Sequence, residues 1–144
     1  MLKNKFYIDS NVFFYSIIVD RVYGRSCIKV LKMIYTEDIR AVISSTILLE
    51  VANALRKYGI PKIFERIKSI LSLPLRVVDV TTDDILRAIE LSEKYKLSPY
   101  DALHVIVMDR EGLRDIISTD RDFDKIDWIT RIDPQDLHKT RSST

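Results

Sequence analysis

Four acidic side chains stand where this sequence changes from one kind of pattern to another. Asp9 closes the apolar run Lys5-Phe6-Tyr7-Ile8 and precedes Ser10-Asn11-Val12; Glu50 lies in a helical pattern that opens at Ser44-Ser45-Thr46; Asp101 follows Ser98-Pro99-Tyr100; Asp120 follows Ile117-Ser118-Thr119. Brought together, these carboxylates would make an all-oxygen set, which suits a hard cation such as Mg²⁺ or Mn²⁺. An ion of that kind neutralises a phosphate oxygen and acidifies a water, and two ions about 4 Å apart stabilise both the entering and the leaving oxygen of a displacement. That is phosphodiesterase chemistry. It carries an internal cost, because neighbouring carboxylates raise each other's pKa until a cation sits among them.

Each acid also has a plainer explanation. Asp9 can cap the helix that follows it. Glu50 shares a polar stripe with Thr46, Asn53 and Lys57, which a solvated helix face explains. Asp101 occupies the N3 position after Ser98, close to a capping box with Asp in place of Glu or Gln. Asp120 can cap the turn that contains Asp122 and Asp124. None of these explanations requires the four to converge.

Other reactive groups are sparse. His104 lies three residues after Asp101 and could pair with it, but flanked by Leu103 and Val105 it reads as a packed or hydrogen-bonded structural residue. His138 is near the end, and Cys27 is the single cysteine, so neither a zinc site nor a cysteine nucleophile is indicated. Gly24, Gly59 and Gly112 are isolated and draw no phosphate-cradling loop. Asp79 has no acidic pair after the first strand, as a phosphate-accepting site would need. Asp9-Ser10-Asn11 lacks the second Asp of a phosphate-hydrolysing Asp-x-Asp motif.

The elements that must position the acids follow from periodicity and punctuation. Residues 5–9 read as a strand and Val12 to Val19 as a buried first helix turn or two; Ser26 to Tyr35 has helical spacing, and Ala41-Val42-Ile43 is a second strand. A helix runs from Ser44-Ser45-Thr46 to Tyr58-Gly59, and another begins after Pro61 with Ile63, Phe64, Ile67, Ile70 and Leu71 on one side. Leu75 to Val80 is a third strand. Thr81 or Thr82 starts a helix through Ile85, Ala88, Ile89 and Leu91, and Ser98-Pro99 starts the next, through Val105 and Met108 to Gly112. Asp115 to Ser118 is a fourth strand and Trp128 to Ile132 a fifth. Helices between strands predict parallel pairing with right-handed crossovers: a three-layer α/β/α sandwich around a central parallel sheet of about four or five strands. Sites in such sheets form beyond the carboxyl ends of the strands, the edge that all four acids can reach.

A chain of 144 residues suits one domain, expected over residues 1–138, with residues 139–144 as a frayed tail. With 23 basic and 21 acidic side chains the net charge is only +2, so a polyanion would have to be held by local patches. Arg21, Arg25, Lys29, Arg56, Lys57, Lys62 and Arg66 are available, although basic runs on helices are ordinarily solvated faces. No apolar run nears the ~20 residues needed to span a bilayer. Met1-Leu2-Lys3-Asn4 lacks signal-peptide features, which makes the cytoplasm the expected compartment.

In order and spacing, the segments Tyr7-Ile8-Asp9-Ser10-Asn11-Val12, Ser44-Ser45-Thr46 leading to Glu50, Ser98-Pro99-Tyr100-Asp101-Ala102-Leu103-His104 and Ile117-Ser118-Thr119-Asp120-Arg121-Asp122-Phe123 together resemble the PIN-domain family, and within it the compact VapC-like toxins of prokaryotic toxin–antitoxin systems. The resemblance implies a PIN-like fold and a Mg²⁺- or Mn²⁺-dependent endoribonuclease, with Asp9, Glu50, Asp101 and Asp120 as catalytic, metal-holding acids. Asn11, Ser118 and Thr119 match supporting polar positions, and Asp122 and Asp124 are accessory acids of open role. It further implies an RNA substrate, a homodimer and a small antitoxin whose chain enters the active-site groove. Two other readings remain: a catalytically idle PIN-like module that binds RNA or protein, and a housekeeping RNA-processing PIN nuclease.

Overall fold

The computed structural model describes residues 4–137, so the expected tail at 139–144, and His138, lie outside the described residues. Within them the chain runs β1 (Lys5–Ile8), α1 (Ser10–Ile18), α2 (Gly24–Tyr35), β2 (Arg40–Ser44), α3 (Ser45–Tyr58), α4 (Ile63–Leu71), β3 (Leu75–Val78), α5 (Thr82–Tyr95), α6 (Pro99–Arg110), β4 (Asp115–Ile117), a 3₁₀ turn (Arg121–Lys125), β5 (Thr130–Ile132) and a last 3₁₀ turn (Pro134–Asp136). The five strands form one sheet in the order β3-β2-β1-β4-β5, every pair parallel, as the alternation of helices and strands predicts.

This order places the site. The chain builds outward from β1 to β2 and β3, then returns to the other side of β1 for β4 and β5. The direction of winding therefore reverses between β1 and β4, and a crevice opens beyond their carboxyl ends. Asp9 is the residue after β1; Ser118, Thr119 and Asp120 follow β4. The Asp9 N–H still donates to Ile117 O at 3.1 Å, so the two strands deliver their terminal residues side by side.

Helix ends obey their local chemistry. Asp9 is the N-cap of α1, its carboxylate accepting from Ser10 N. Thr81 and Asp84 close a full capping box at the start of α5. Ser98 caps α6 by accepting from Asp101 N, with Pro99 in the first turn, where its missing N–H costs nothing. α1 ends with Val19 in the left-handed region (φ 49°), a rare state for a β-branched residue. The reversal there presses α2 against it: a Cβ at Gly24 would lie 2.7 Å from the Val19 carbonyl carbon, so only glycine fits.

Core packing centres on β1, with Phe6, Tyr7 and Ile8 buried, and on α6, where all seven residues from Ala102 to Met108 are buried. Helix α5 packs on α6, while α1 contacts α2 and α3, and α3 contacts α4. Two helical faces leave apolar side chains open to solvent. On α4 only Ile70 is fully buried, and Phe64 is 72% exposed; on α5, Ile85, Leu86 and Ile89 are exposed. Periodicity marks an apolar stripe, but it does not say whether this chain itself covers it. No helix among the described residues is long and apolar enough to cross a membrane.

Candidate active site

Asp9 is 4% exposed and its oxygens are held by neutral donors. Ser10 N donates to Oδ1 at 2.8 Å; Ser118 Oγ donates to Oδ2 at 2.6 Å, and Asn11 Nδ2 reaches the same oxygen at 3.1 Å. Ser118 Oγ also accepts from Asp120 N at 3.0 Å, and Thr119 N donates to Asn11 Oδ1 at 3.3 Å. Asn11, Ser118 and Thr119 thus stitch the loop after β1 to the loop after β4. Burial pushes the Asp9 carboxyl above its ordinary pKa, against the lowering effects of His104 and Ser118.

Beside it lies a second group. Asp101, Asp120 and Asp122 each present a ligand atom, and these atoms lie within 4.8 Å of one another. Asp101 comes from the first turn of α6, while Asp120 caps the 3₁₀ turn by accepting from Asp122 N at 2.9 Å. The Asp101 carboxyl is pushed up to about 7, first by burial, then by the charges of Asp120 and Asp9 and a hydrogen bond with Asp120; the His104 charge opposes them. Without a cation, a proton between the two carboxyls relieves part of the repulsion. Asp124 does something else: it pairs with Arg131 (Nε at 3.0 Å, Nη2 at 3.3 Å), whose Nη1 donates to Ser118 O at 3.0 Å. It braces the loop from outside.

His104 is the packed, hydrogen-bonded residue that the sequence suggests, but its acidic partner is Glu50 and not Asp101. In the structure Glu50 Oε1 lies 2.7 Å from His104 Nε2, and Asp9, Glu50 and His104 form their own group of ligand atoms within 4.8 Å. His104 is completely buried, and its other ring nitrogen, Nδ1, lies 2.7 Å from the Tyr7 hydroxyl, which donates to Ser44 Oγ at 2.9 Å. Burial disfavours charge on His104, but the hydrogen bond and charge of Glu50, then Asp9 and Asp101, raise its pKa overall. Burial raises the Tyr7 phenol far above its ordinary value, so it stays protonated. Ser44, expected as a helix cap, is the N-cap residue of α3 but makes no side-chain cap bond; its hydroxyl serves Tyr7 instead. Tyr7 is the residue of this network to which the sequence assigns no polar role. An apolar-strand tyrosine carries no signal of a partner 97 positions away.

The four acids therefore arrive at one edge as two adjoining groups, with Asp9 interacting electrostatically with both Glu50 and Asp101. A cleft of about 540 Å³ opens beside Glu50, lined by Thr46, Leu49, Asn53, Ala54, Lys57 and Tyr100 as well. Of the basic residues noted in the sequence, Lys57 lines it. The donor set fits a hard divalent cation: carboxylate oxygens predominate, like charge crowds them, and both nitrogens of the one histidine are engaged in hydrogen bonds.

A family model described as the PIN domain matches residues 6–129. No curated protein sequence matches. Among solved structures, the chain is similar to VapC20 of Mycobacterium tuberculosis, described as a sarcin-ricin loop cleaving toxin, with 19% identity over 86% of this chain and 96% of that one and a TM-score of 0.73. It is similar to a toxin-antitoxin complex from Klebsiella pneumoniae (21% identity, 90% and 97% coverage, TM-score 0.64). A third likeness is to VapBC2 from Rickettsia felis bound to a DNA fragment from its promoter (16%, 89% and 97%, TM-score 0.66). At these identities the structures speak for the fold.

Proposed function

The chain belongs to the PIN domain family, and from that premise we propose that it is a Mg²⁺- or Mn²⁺-dependent endoribonuclease, the toxin of a VapBC-type pair. The carrying observation is the buried Asp9 set between Glu50 and the Asp101–Asp120–Asp122 oxygens at the point where the sheet reverses its winding. Asp9, Asp101 and Asp120 would hold the cation, with Glu50 completing the set and Asp122 close enough to share it. A divalent ion so bound supplies charge neutralisation at a phosphate oxygen and acidity for a nucleophilic water.

The chain's own residues prepare the rest. Ser118 and Asn11 fix the Asp9 carboxylate by two hydrogen bonds to one oxygen. The raised pKa of Asp101 gives it a proton to release near neutral pH as a cation takes over its negative neighbours. Lys57 and the exposed Tyr100 border the cleft where a single-stranded phosphate backbone and its bases would lie.

Two surfaces support partners. Leu48, Leu49, Ala52, Ile63, Phe64 and Ile67 line an apolar groove of about 510 Å³ between α3 and α4, and Leu49 belongs also to the cleft beside Glu50. An antitoxin segment lying in that groove would continue towards the acids, in line with a neighbour solved as a toxin-antitoxin complex. The uncovered apolar face of α5 suits a second copy, and a homodimer remains part of this reading.

The test is cleavage of RNA by purified protein freed of any bound inhibitor, with Mg²⁺ or Mn²⁺ and with chelator. Metal-dependent internal cleavage, lost in Asp9→Asn, is expected; no cleavage with either ion, together with no calorimetric metal binding, overturns the proposal.

A further inference from the structure

Beneath Glu50 lies a buried polar pair, Tyr7 and His104, each engaged in two side-chain hydrogen bonds. Tyr7 lies in the central strand, in register with Val42 on one side and Ile116 on the other, so its backbone is among the most constrained positions of the fold. Its ring packs against the His104 imidazole with centroids 5.4 Å apart. Above it, His104 sits in the fully buried stretch of α6 and touches Glu50 of α3. Ser44 is the last residue of β2. One unbroken set of hydrogen bonds, at 2.9, 2.7 and 2.7 Å, therefore runs Ser44–Tyr7–His104–Glu50 through four different elements.

Glu50 needs such a support. It projects from a helix exposed on its outer side, its side chain is 22% exposed, and a glutamate has three rotatable bonds with which to leave the crevice. Asp9 and Asp120 have shorter side chains held by their own caps. With Nδ1 committed to Tyr7 and Nε2 to Glu50, the imidazole can serve as a ligand only by breaking one of these bonds. A ring so fixed donates from Nε2 to Oε1 and leaves Oε2 for a cation.

We propose that Tyr7 and His104 are positioning residues: a buried strut, footed on the central sheet, that sets the Glu50 carboxylate for metal binding without touching the metal. The proposal rests on the metal-nuclease reading for its purpose, but the strut itself can be examined without metal.

The test uses Tyr7→Phe, His104→Leu and His104→Gln, each alone and combined with Glu50→Gln. In the otherwise wild-type chain, His104→Leu should weaken Mn²⁺ binding and lower kcat by about tenfold or more, the range seen when partners of metal ligands are removed. Tyr7→Phe, which keeps the ring and subtracts one oxygen, should do the same more mildly. His104→Gln should recover much of the loss, because its amide N–H can reach Oε1. On the Glu50→Gln background none of the three should add more than about twofold, since their effect runs through that carboxylate. Losses of the same size on both backgrounds would mean a general packing role and overturn the proposal. A directly bound nitrogen in the Mn²⁺ spin-resonance spectrum would make His104 a ligand and overturn it as well.

In metal-free protein, the carboxyl ¹³C resonance of Glu50, identified by its loss in Glu50→Gln, should move in Tyr7→Phe and in His104→Leu; an unmoved resonance overturns the strut. If wild-type protein binds no Mn²⁺ and cuts no RNA while the resonance moves, the nuclease reading fails and the strut stands.

Discussion

Asp9 and Asp84 are both closed to water, at 4% and 1% exposure, yet their carboxyls shift in opposite directions. At Asp84 burial works against the charge, but the Thr81 N–H bond and then the Arg110 guanidinium outweigh it and lower the pKa. Arg110 reaches both oxygens, at 3.1 and 2.9 Å, and also donates to Asp79 O and pairs with Glu111. Asp9 meets neutral donors on its oxygens; burial raises its pKa and outweighs the lowering charge of the nearby His104, which is itself tied to Glu50. The chain supplies its own cation where a carboxylate is structural. At the crevice the acids stay under-compensated, and that deficit is what an exogenous cation would fill.

The contrast can be broken at either end. The largest expected effect is on activity: Asp9→Asn should reduce cleavage roughly a hundredfold or more, since losing a ligand should cost at least as much as losing its outer partners. The metal-free fold should be little changed in stability, because relieving one negative charge in a crowded site offsets the hydrogen bonds that Ser118 Oγ and Asn11 Nδ2 make to that carboxylate oxygen. Marked unfolding of Asp9→Asn in urea would make Asp9 structural and erase the distinction. Arg110→Met should do the reverse. It strands the buried Asp84 carboxylate and should cost about 2–3 kcal/mol in urea unfolding, below the full range for a buried pair because Arg110 is 32% exposed. Activity per folded molecule should be retained.

A smaller effect concerns pH. Asp101 titrates at about 7 in the fold against an ordinary 3.8, so its contribution to stability is fully present below about pH 4 and lost as pH rises through 7. Asp9 is shifted the same way; His104, also raised, likewise loses its contribution as pH climbs past its folded value. Asp84, lowered, gives up stability only in the acid range below its ordinary 3.8. The metal-free protein should therefore melt several degrees higher near pH 5 than near pH 8, read by calorimetry. Added Mn²⁺ should stabilise more at pH 8 than at pH 6, because its ligands must release protons. A metal-free melting temperature that rises from pH 5 to 8 would contradict the deficit. The smallest effect belongs to Asp124→Asn: its half-exposed pair with Arg131 should be worth about 0.5 kcal/mol or less, with metal binding unchanged by titration.

Legibility in the sequence follows how local each signal is. Asp9 and Asp120 stand out because short apolar strands end abruptly beside them, and the alternation of helices and strands carries the parallel sheet. Asp101 is visible through the Ser98-Pro99 helix start, although the full capping box belongs to Thr81 and Asp84. Glu50 is ambiguous in sequence because a polar stripe looks the same whether it faces water or a crevice. The Tyr7–His104 link is invisible: a tyrosine in an apolar strand and a histidine in an apolar helix each read as core, and only folding brings them to 2.7 Å. The bare faces of α4 and α5 escape for a related reason, since a stripe is written in one segment and its cover in another.

The seven buried positions of α6 bear on how this molecule can change over generations. With no side of the helix open to solvent from Ala102 to Met108, almost any polar or larger residue there meets a packed neighbour. Variation in what the crevice accepts must enter elsewhere, at Tyr100 before the buried stretch, along the outer side of α3, or in the turn that carries Asp120 and Asp122. A saturation mutational scan would register α6 as a silent bar flanked by permissive edges, with Tyr100 and Asp101, two adjacent residues, on opposite sides of the line between adaptable and fixed.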